Sequence, residues 1–124
     1  MGLVSDLVQI GIPARQAPFL GNTLSYGNAL AGANQATGYP ITETITEFNF
    51  GVLGVSFCAT LPRVLQVSQS VLFVRNDSLI TMTLFPAVGE FFNVLAANVG
   101  VTIAAGTGLV VTKRDVTNTG WLTF

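Results

Sequence analysis

Residues that could carry acid–base chemistry are few in this chain. Among its 124 residues there are six Asp and Glu, five Lys and Arg, and no His. The carboxylates are Asp6, Glu43, Glu47, Asp77, Glu90 and Asp115. Glu43 and Glu47 form the one close pair. In a strand, residues four apart lie on the same face about 13 Å apart, which is wider than the carboxylate spacing of a glycosidase. We therefore expect solvated carboxylates on a strand face and a protein that is not an enzyme.

The sequence also lacks the residues that a metal or cofactor site would need. Zinc is bound by clustered His and Cys, and calcium by clustered oxygen ligands; neither pattern occurs in the sequence. Gly106-Thr107-Gly108 is not followed by the Lys-Ser or Lys-Thr of a phosphate-binding loop. Asn76-Asp77 is better explained as a turn than as part of a calcium site. We expect no cofactor and no metal.

Cys58 and Trp121 each allow a functional and a structural interpretation. Cys58 lies in GVSFCATLP, and the chain has no His that could activate its thiol. We therefore favour a small buried side chain over a reactive one. Trp121 could stack on a sugar, but its strand-like setting, WLTF, favours a place in the core.

Charge and hydropathy bear on the possible partners. The net charge is −1 and Lys113-Arg114 is the one basic pair, so we expect no nucleic-acid binding. Polar residues or glycine interrupt each apolar run well before the roughly 18 residues of a membrane span, so we expect no membrane partner.

Apolar residues still make up 50% of the chain and charged residues only 9%. A small domain cannot hide that much apolar surface in its own core. We expect part of it to be buried against copies of the chain or another protein.

Short apolar segments separated by Asn, Asp, Gly and Pro predict an all-β domain over residues 33–124. The predicted strands are Ile41–Phe50, Val52–Thr60, Val71–Arg75, Leu79–Phe85, Glu90–Leu95, Val99–Ala104, Leu109–Thr112 and Trp121–Phe124. In the fourth of these, Ile80, Met82 and Leu84 share one face. Strands of this length and spacing are typical of a single β-sandwich or a jelly-roll-like domain.

Residues 1–32 differ from the rest of the chain and are interpreted as an N-terminal arm and linker that precede the β-domain. Leu3, Leu7 and Ile10 recur at the spacing of an amphipathic helix. This piece, which would end near Gly11, and a second short turn that would begin at Pro13 are each too short to be stable alone. Residues 22–38, rich in Gly, Ala, Asn, Ser and Thr, predict an extended linker.

Motifs along residues 33–124 resemble, in their order and spacing, small structural proteins of tailed bacteriophages. They are Gln35-Ala36-Thr37, Leu61-Pro62, Val74-Arg75-Asn76, Pro86-Ala87-Val88-Gly89, Phe92-Asn93, Ala104-Ala105-Gly106 and Trp121. Residues 2–22 are similar to the arm that can precede such domains. The chain departs from the pattern between Leu-Pro and Val-x-Asn, where the expected glycine is missing from residues 63–70.

The resemblance implies a capsid decoration (cement) protein or a head-fibre protein. As a decoration protein, the chain would sit on the capsid surface of the virion as a homotrimer and bridge subunits of the major capsid protein. The arm would bind that partner through its apolar residues and the proline among them: Leu3, Leu7, Ile10, Ile12, Pro13 and Phe19. The alternative is a head-fibre or tail-tip module for host recognition, with Phe91, Phe92 and Trp121 as candidate contact residues.

Overall fold

The computed structural model describes residues 23–67, 70–115 and 119–124. These ranges contain ten strands and one 3₁₀ turn. The strands are β1 (Leu24–Ala29), β2 (Tyr39–Pro40), β3 (Ile45–Phe50), β4 (Cys58–Thr60), β5 (Val71–Asn76), β6 (Met82–Phe85), β7 (Phe91–Phe92), β8 (Val101–Ile103), β9 (Thr107–Asp115) and β10 (Gly120–Thr123). The 3₁₀ turn, Val64–Gln66, lies between β4 and β5. The described chain is therefore all-β, as the sequence predicts.

The strands form a six-stranded sheet, in the order β1-β3-β5-β9-β10-β7, and a four-stranded sheet, in the order β2-β4-β6-β8. From β1 to β6 the chain alternates between the two sheets, and each strand is parallel to the one two positions earlier. This solenoid-like winding differs from the mainly antiparallel order of a sandwich or jelly roll. The later strands β8 and β9 pair with β6 and β5 in antiparallel fashion, and β10 and β7 extend the six-stranded sheet beyond β9.

Side chains from both sheets form one core. Phe48, Val111 and Trp121 enter it from the six-stranded sheet, and Met82 and Leu84 from the four-stranded sheet, all with no exposed surface. The face predicted for Met82 and Leu84 and the buried position predicted for Trp121 are confirmed. Because the two sheets share this core, the side of the six-stranded sheet that faces away from it takes no part in it.

Each of the eight predicted strands overlaps a strand of the structure, whereas the extended linker predicted for residues 22–38 is wrong over residues 24–30. Leu24–Ala29 forms β1, which pairs with β3, and Leu30 beyond it is a core residue that is 3% exposed. The backbone N–H of Leu30 donates to the carbonyl of Phe50 at 2.8 Å. The Asn28 amide donates to the Glu47 carbonyl at 3.0 Å, so a polar side chain does part of the pairing that the sequence pattern does not reveal.

Candidate functional site

Glu90 is the one carboxylate that the described structure buries, at 3% exposure. Both of its carboxylate oxygens accept from the backbone N–H of Val64 at 3.1 Å. Burial raises the pKa of the Glu90 carboxyl, while the Val64 N–H, the Trp121 indole and the charge of Arg63 counteract part of that rise. The indole N–H of Trp121 does not reach hydrogen-bond geometry with any described partner. It therefore lowers the pKa of the Glu90 carboxyl less than the backbone N–H of Val64 does. Glu90 thus ties the 3₁₀ turn to β7.

Cys58 is fully buried, as the sequence predicts. Burial raises the pKa of its thiol, which keeps the side chain protonated and a poor nucleophile near neutral pH. Within residues 23–67, 70–115 and 119–124, no three His, Cys, Asp or Glu side chains come together in a way that could hold a metal ion.

The paired carboxylates Glu43 and Glu47 have surface roles where the structure places them. Glu47 Oε1 accepts from the backbone N–H of Gly27 at 2.8 Å, which fixes the irregular part of β1. Glu43 accepts a long contact of 3.5 Å from the Thr42 hydroxyl. Neither carboxylate has a second titratable side chain as a hydrogen-bond partner in the described residues, so the pair is not assembled for acid–base work.

The aromatic residues proposed for host recognition are mostly inside the protein. Phe92 and Trp121 are fully buried. Phe91 lies on the opposite side of β7, where the Arg114 guanidinium carbon is 5.9 Å from the centre of its ring. A buried ring cannot stack on a host glycan, so two of the three candidates are not available for that contact.

The outward side of the six-stranded sheet presents an apolar surface, which we call the outer face. Strand register aligns Leu24, Ile45, Phe73 and Val110 in one row across β1, β3, β5 and β9. Two backbone hydrogen bonds between Val110 and Phe124 continue this row to the C-terminal residue. Leu24, Phe73 and Phe124 are 52%, 41% and 73% exposed. Val71 and Leu122 flank the row on the same side of the sheet.

A second apolar surface, which we call the turn ridge, consists of Leu53, Val55 and Leu79. These residues lie on the turns that follow the parallel neighbours β3 and β5, so they leave the sheet at the same edge. The turns touch each other, because a Cβ built on Gly51 would lie 2.8 Å from Ile80 Cδ1. Leu79 is 98% exposed and Leu53 78%.

A buried asparagine holds the second of these turns rigidly. The Asn76 amide donates to the carbonyls of Ile80 and Ile103 at 2.8 Å each. Its oxygen accepts from the backbone N–H of Ser78 at 3.1 Å and from its hydroxyl at 2.6 Å. The predicted turn role of Asn76 is thus confirmed. Because all of its polar groups are used, Leu79 is presented on a preorganised turn.

Sequence reasoning found neither surface, although one signal for the outer face was present. Val71-Leu72-Phe73-Val74 is apolar on both sides of β5, and such runs are typical of strands covered on both faces. The arm residues proposed as the partner contact, Leu3, Leu7, Ile10, Ile12, Pro13 and Phe19, lie outside the described residues. Their role therefore stays a prediction.

Among the described residues, no helix is long and apolar enough to cross a membrane. The chain matches no protein-family model, no curated protein and no solved structure. The resemblance to bacteriophage structural proteins therefore rests on the sequence motifs alone.

Proposed function

We propose that this chain is a structural protein of a tailed-phage virion, a capsid decoration protein that binds the major capsid protein as a homotrimer. The observation that carries the proposal is the outer face, a broad apolar surface on a rigid sheet. Contiguous exposed apolar surface of this kind marks protein–protein contacts. The sequence motifs supply the virion context.

The two sheets would act in this role as a single sandwich-type unit. Their shared core makes the outer face and the turn ridge parts of one rigid body. A rigid body loses little conformational entropy when it binds, so more of the contact energy remains for bridging capsid subunits. The arm of each copy would attach to the capsid, and the linked arms of one homotrimer would bind more tightly than a single arm.

The chemistry of the described residues favours binding over catalysis. Glu90 and Cys58 are sealed in the core, and Glu47 serves the backbone of β1. Host recognition is not favoured as a second function, because Phe92 and Trp121 are turned inward.

The test is binding to empty capsids assembled from the major capsid protein of the same genome. We expect the full chain to sediment with the capsids, and a chain lacking residues 1–20 to lose binding while keeping its mass in solution. Leu7→Asp should weaken binding about tenfold or more, which corresponds to roughly 1.4 kcal/mol. Ser5→Asp adds the same charge at a polar position of the arm and is the matched control.

Two results would overturn the proposal. One is a full chain that does not bind the capsids. The other is a chain without residues 1–20 that binds them as tightly as the full chain, which would remove the arm from the contact.

A further inference from the structure

The charged groups beside the apolar row already have partners within the chain. Glu47 accepts from Gly27, and Arg75 forms an ion pair with Asp77 at 2.7 Å. Arg114 donates to the Asn93 carbonyl at 2.7 Å. Covering the outer face would therefore leave none of these side chains without a hydrogen bond. Arg75 is neutralised by Asp77, whereas Glu47 and Arg114 bond only to backbone groups within the described residues and keep a charge that an opposite charge on a partner can pair.

Each copy in a ring would use the outer face for two neighbours. Six strands about 4.8 Å apart, with about 3.3 Å per residue, give a surface of roughly 25 Å by 20 Å before the relief of the side chains is counted. A standard interface buries about 800 Å² per partner. The whole face approaches that area, so the two contacts of each copy share it and each one is a small interface.

The distribution of charge across the outer face is complementary between its two halves. The half formed by β1 and β3 carries Glu47, and the half formed by β9 and β10 carries Arg114. Phe73 on β5 lies between them. When two copies meet head to tail, the acidic half of one faces the basic half of the next. Repetition of such a contact gives a ring when the rotation between neighbouring copies closes, and a filament when it does not.

We propose that the outer face is the contact between copies of this chain, with Phe73 at its centre. The inference rests on the proposed homotrimer and adds the surface that forms it. The first half of the face in one copy, with Leu24 and Ile45, packs against the second half of the next, with Val110 and Phe124.

Light scattering of the full-length protein tests this inference. We expect a mass near three times 13.0 kDa for the unchanged chain and a monomer for Phe73→Asp. Leu79→Asp is the matched control, because it also places an acid at an exposed apolar residue, but on the turn ridge; it should keep the trimer. Circular dichroism and the fluorescence of the buried Trp121 check that both variants are folded.

A second variant covers the case in which Phe73→Asp does not fold. Phe124 is the last residue and is 73% exposed, so Phe124→Asp scarcely disturbs the core. It should lower the fraction of trimer at a given concentration by about tenfold.

Several outcomes would overturn the inference, and they can be told apart from a failure of the proposed function. A monomeric unchanged chain, or trimeric Phe73→Asp and Phe124→Asp, would exclude this face as the contact between copies. A Phe73→Asp variant that keeps the mass of the unchanged chain but loses capsid binding would mean that the outer face contacts the capsid or the N-terminal arm, and not another copy of the chain. In each case, capsid binding by the full chain and its dependence on residues 1–20 still decide the proposed function.

Discussion

A buried carboxyl gives this protein a pH response that its low charge alone would not suggest. Burial is the main reason that the pKa of Glu90 lies above its ordinary value of 4.5 in the folded state. Between that value and the folded pKa, the unfolded state binds fewer protons than the folded one. Stability therefore falls as pH rises across this window, and the contribution of Glu90 is greatest below it.

Urea unfolding from pH 4 to pH 8 should show this trend in the free energy of unfolding. Glu90→Gln cannot titrate and should flatten the part of the profile that Glu90 causes. Glu43→Gln, which changes a carboxyl at the surface, is the matched control and should keep the slope of the unchanged chain. A slope that survives in Glu90→Gln would assign the pH response to other groups.

Asn76 should be among the positions at which a single substitution lowers the free energy of unfolding most. Asn76→Asp replaces two N–H donations to the carbonyls of Ile80 and Ile103 with a buried carboxylate that faces them. We expect a loss of about 3 kcal/mol or more, measured by urea unfolding at neutral pH. Asn49→Asp makes the same change at an exposed residue of β3 and should stay within about 0.5 kcal/mol. Similar losses in both variants would contradict the role given to the Asn76 hydrogen bonds.

At the scale of elements, the close approach of β7 and β10 depends on Gly120. A Cβ at this position would lie 2.6 Å from the ring of Phe91, so Gly120→Ala must displace the ring that covers it. We expect a destabilisation of about 1–3 kcal/mol. Combining it with Phe91→Leu should reduce the effect, because the smaller side chain leaves room for the methyl group. A double-mutant cycle from thermal unfolding measures this coupling, and additive effects would contradict the explanation.

Strands could be predicted from the sequence where apolar residues alternate with polar ones or where turn residues mark the strand ends. They could not be predicted where a side-chain hydrogen bond takes the place of an apolar contact. The alternation around Met82 and Leu84 and the turn at Asn76 could be recognised from the sequence. The strand β1 could not, since Asn28 supplies a side-chain hydrogen bond where an apolar pattern would be expected. The outer face depends on the register that aligns Leu24, Ile45 and Phe73, and a register of parallel strands distant in sequence is not contained in the local pattern of any one of them.

At the scale of the whole molecule, the composition and the fold give the same answer about where the apolar residues go. A two-sheet stack has one core, and the strands of the six-stranded sheet are apolar on both sides at β5. The inner side fills the core, and the outer side is left in contact with solvent. A chain with 9% charged residues therefore has little charge with which to keep copies apart.

If the outer face joins copies of the chain, the stability of the fold is linked to protein concentration. Association of folded chains stabilises them by mass action, so the Tm of the unchanged chain should rise over a hundredfold increase in concentration. Phe73→Asp, folded but monomeric, should have a Tm that does not change over the same range, and Leu79→Asp should follow the unchanged chain. Circular dichroism melting at several concentrations makes the comparison. A Tm that is independent of concentration in the unchanged chain would mean that association adds nothing to the stability of the fold.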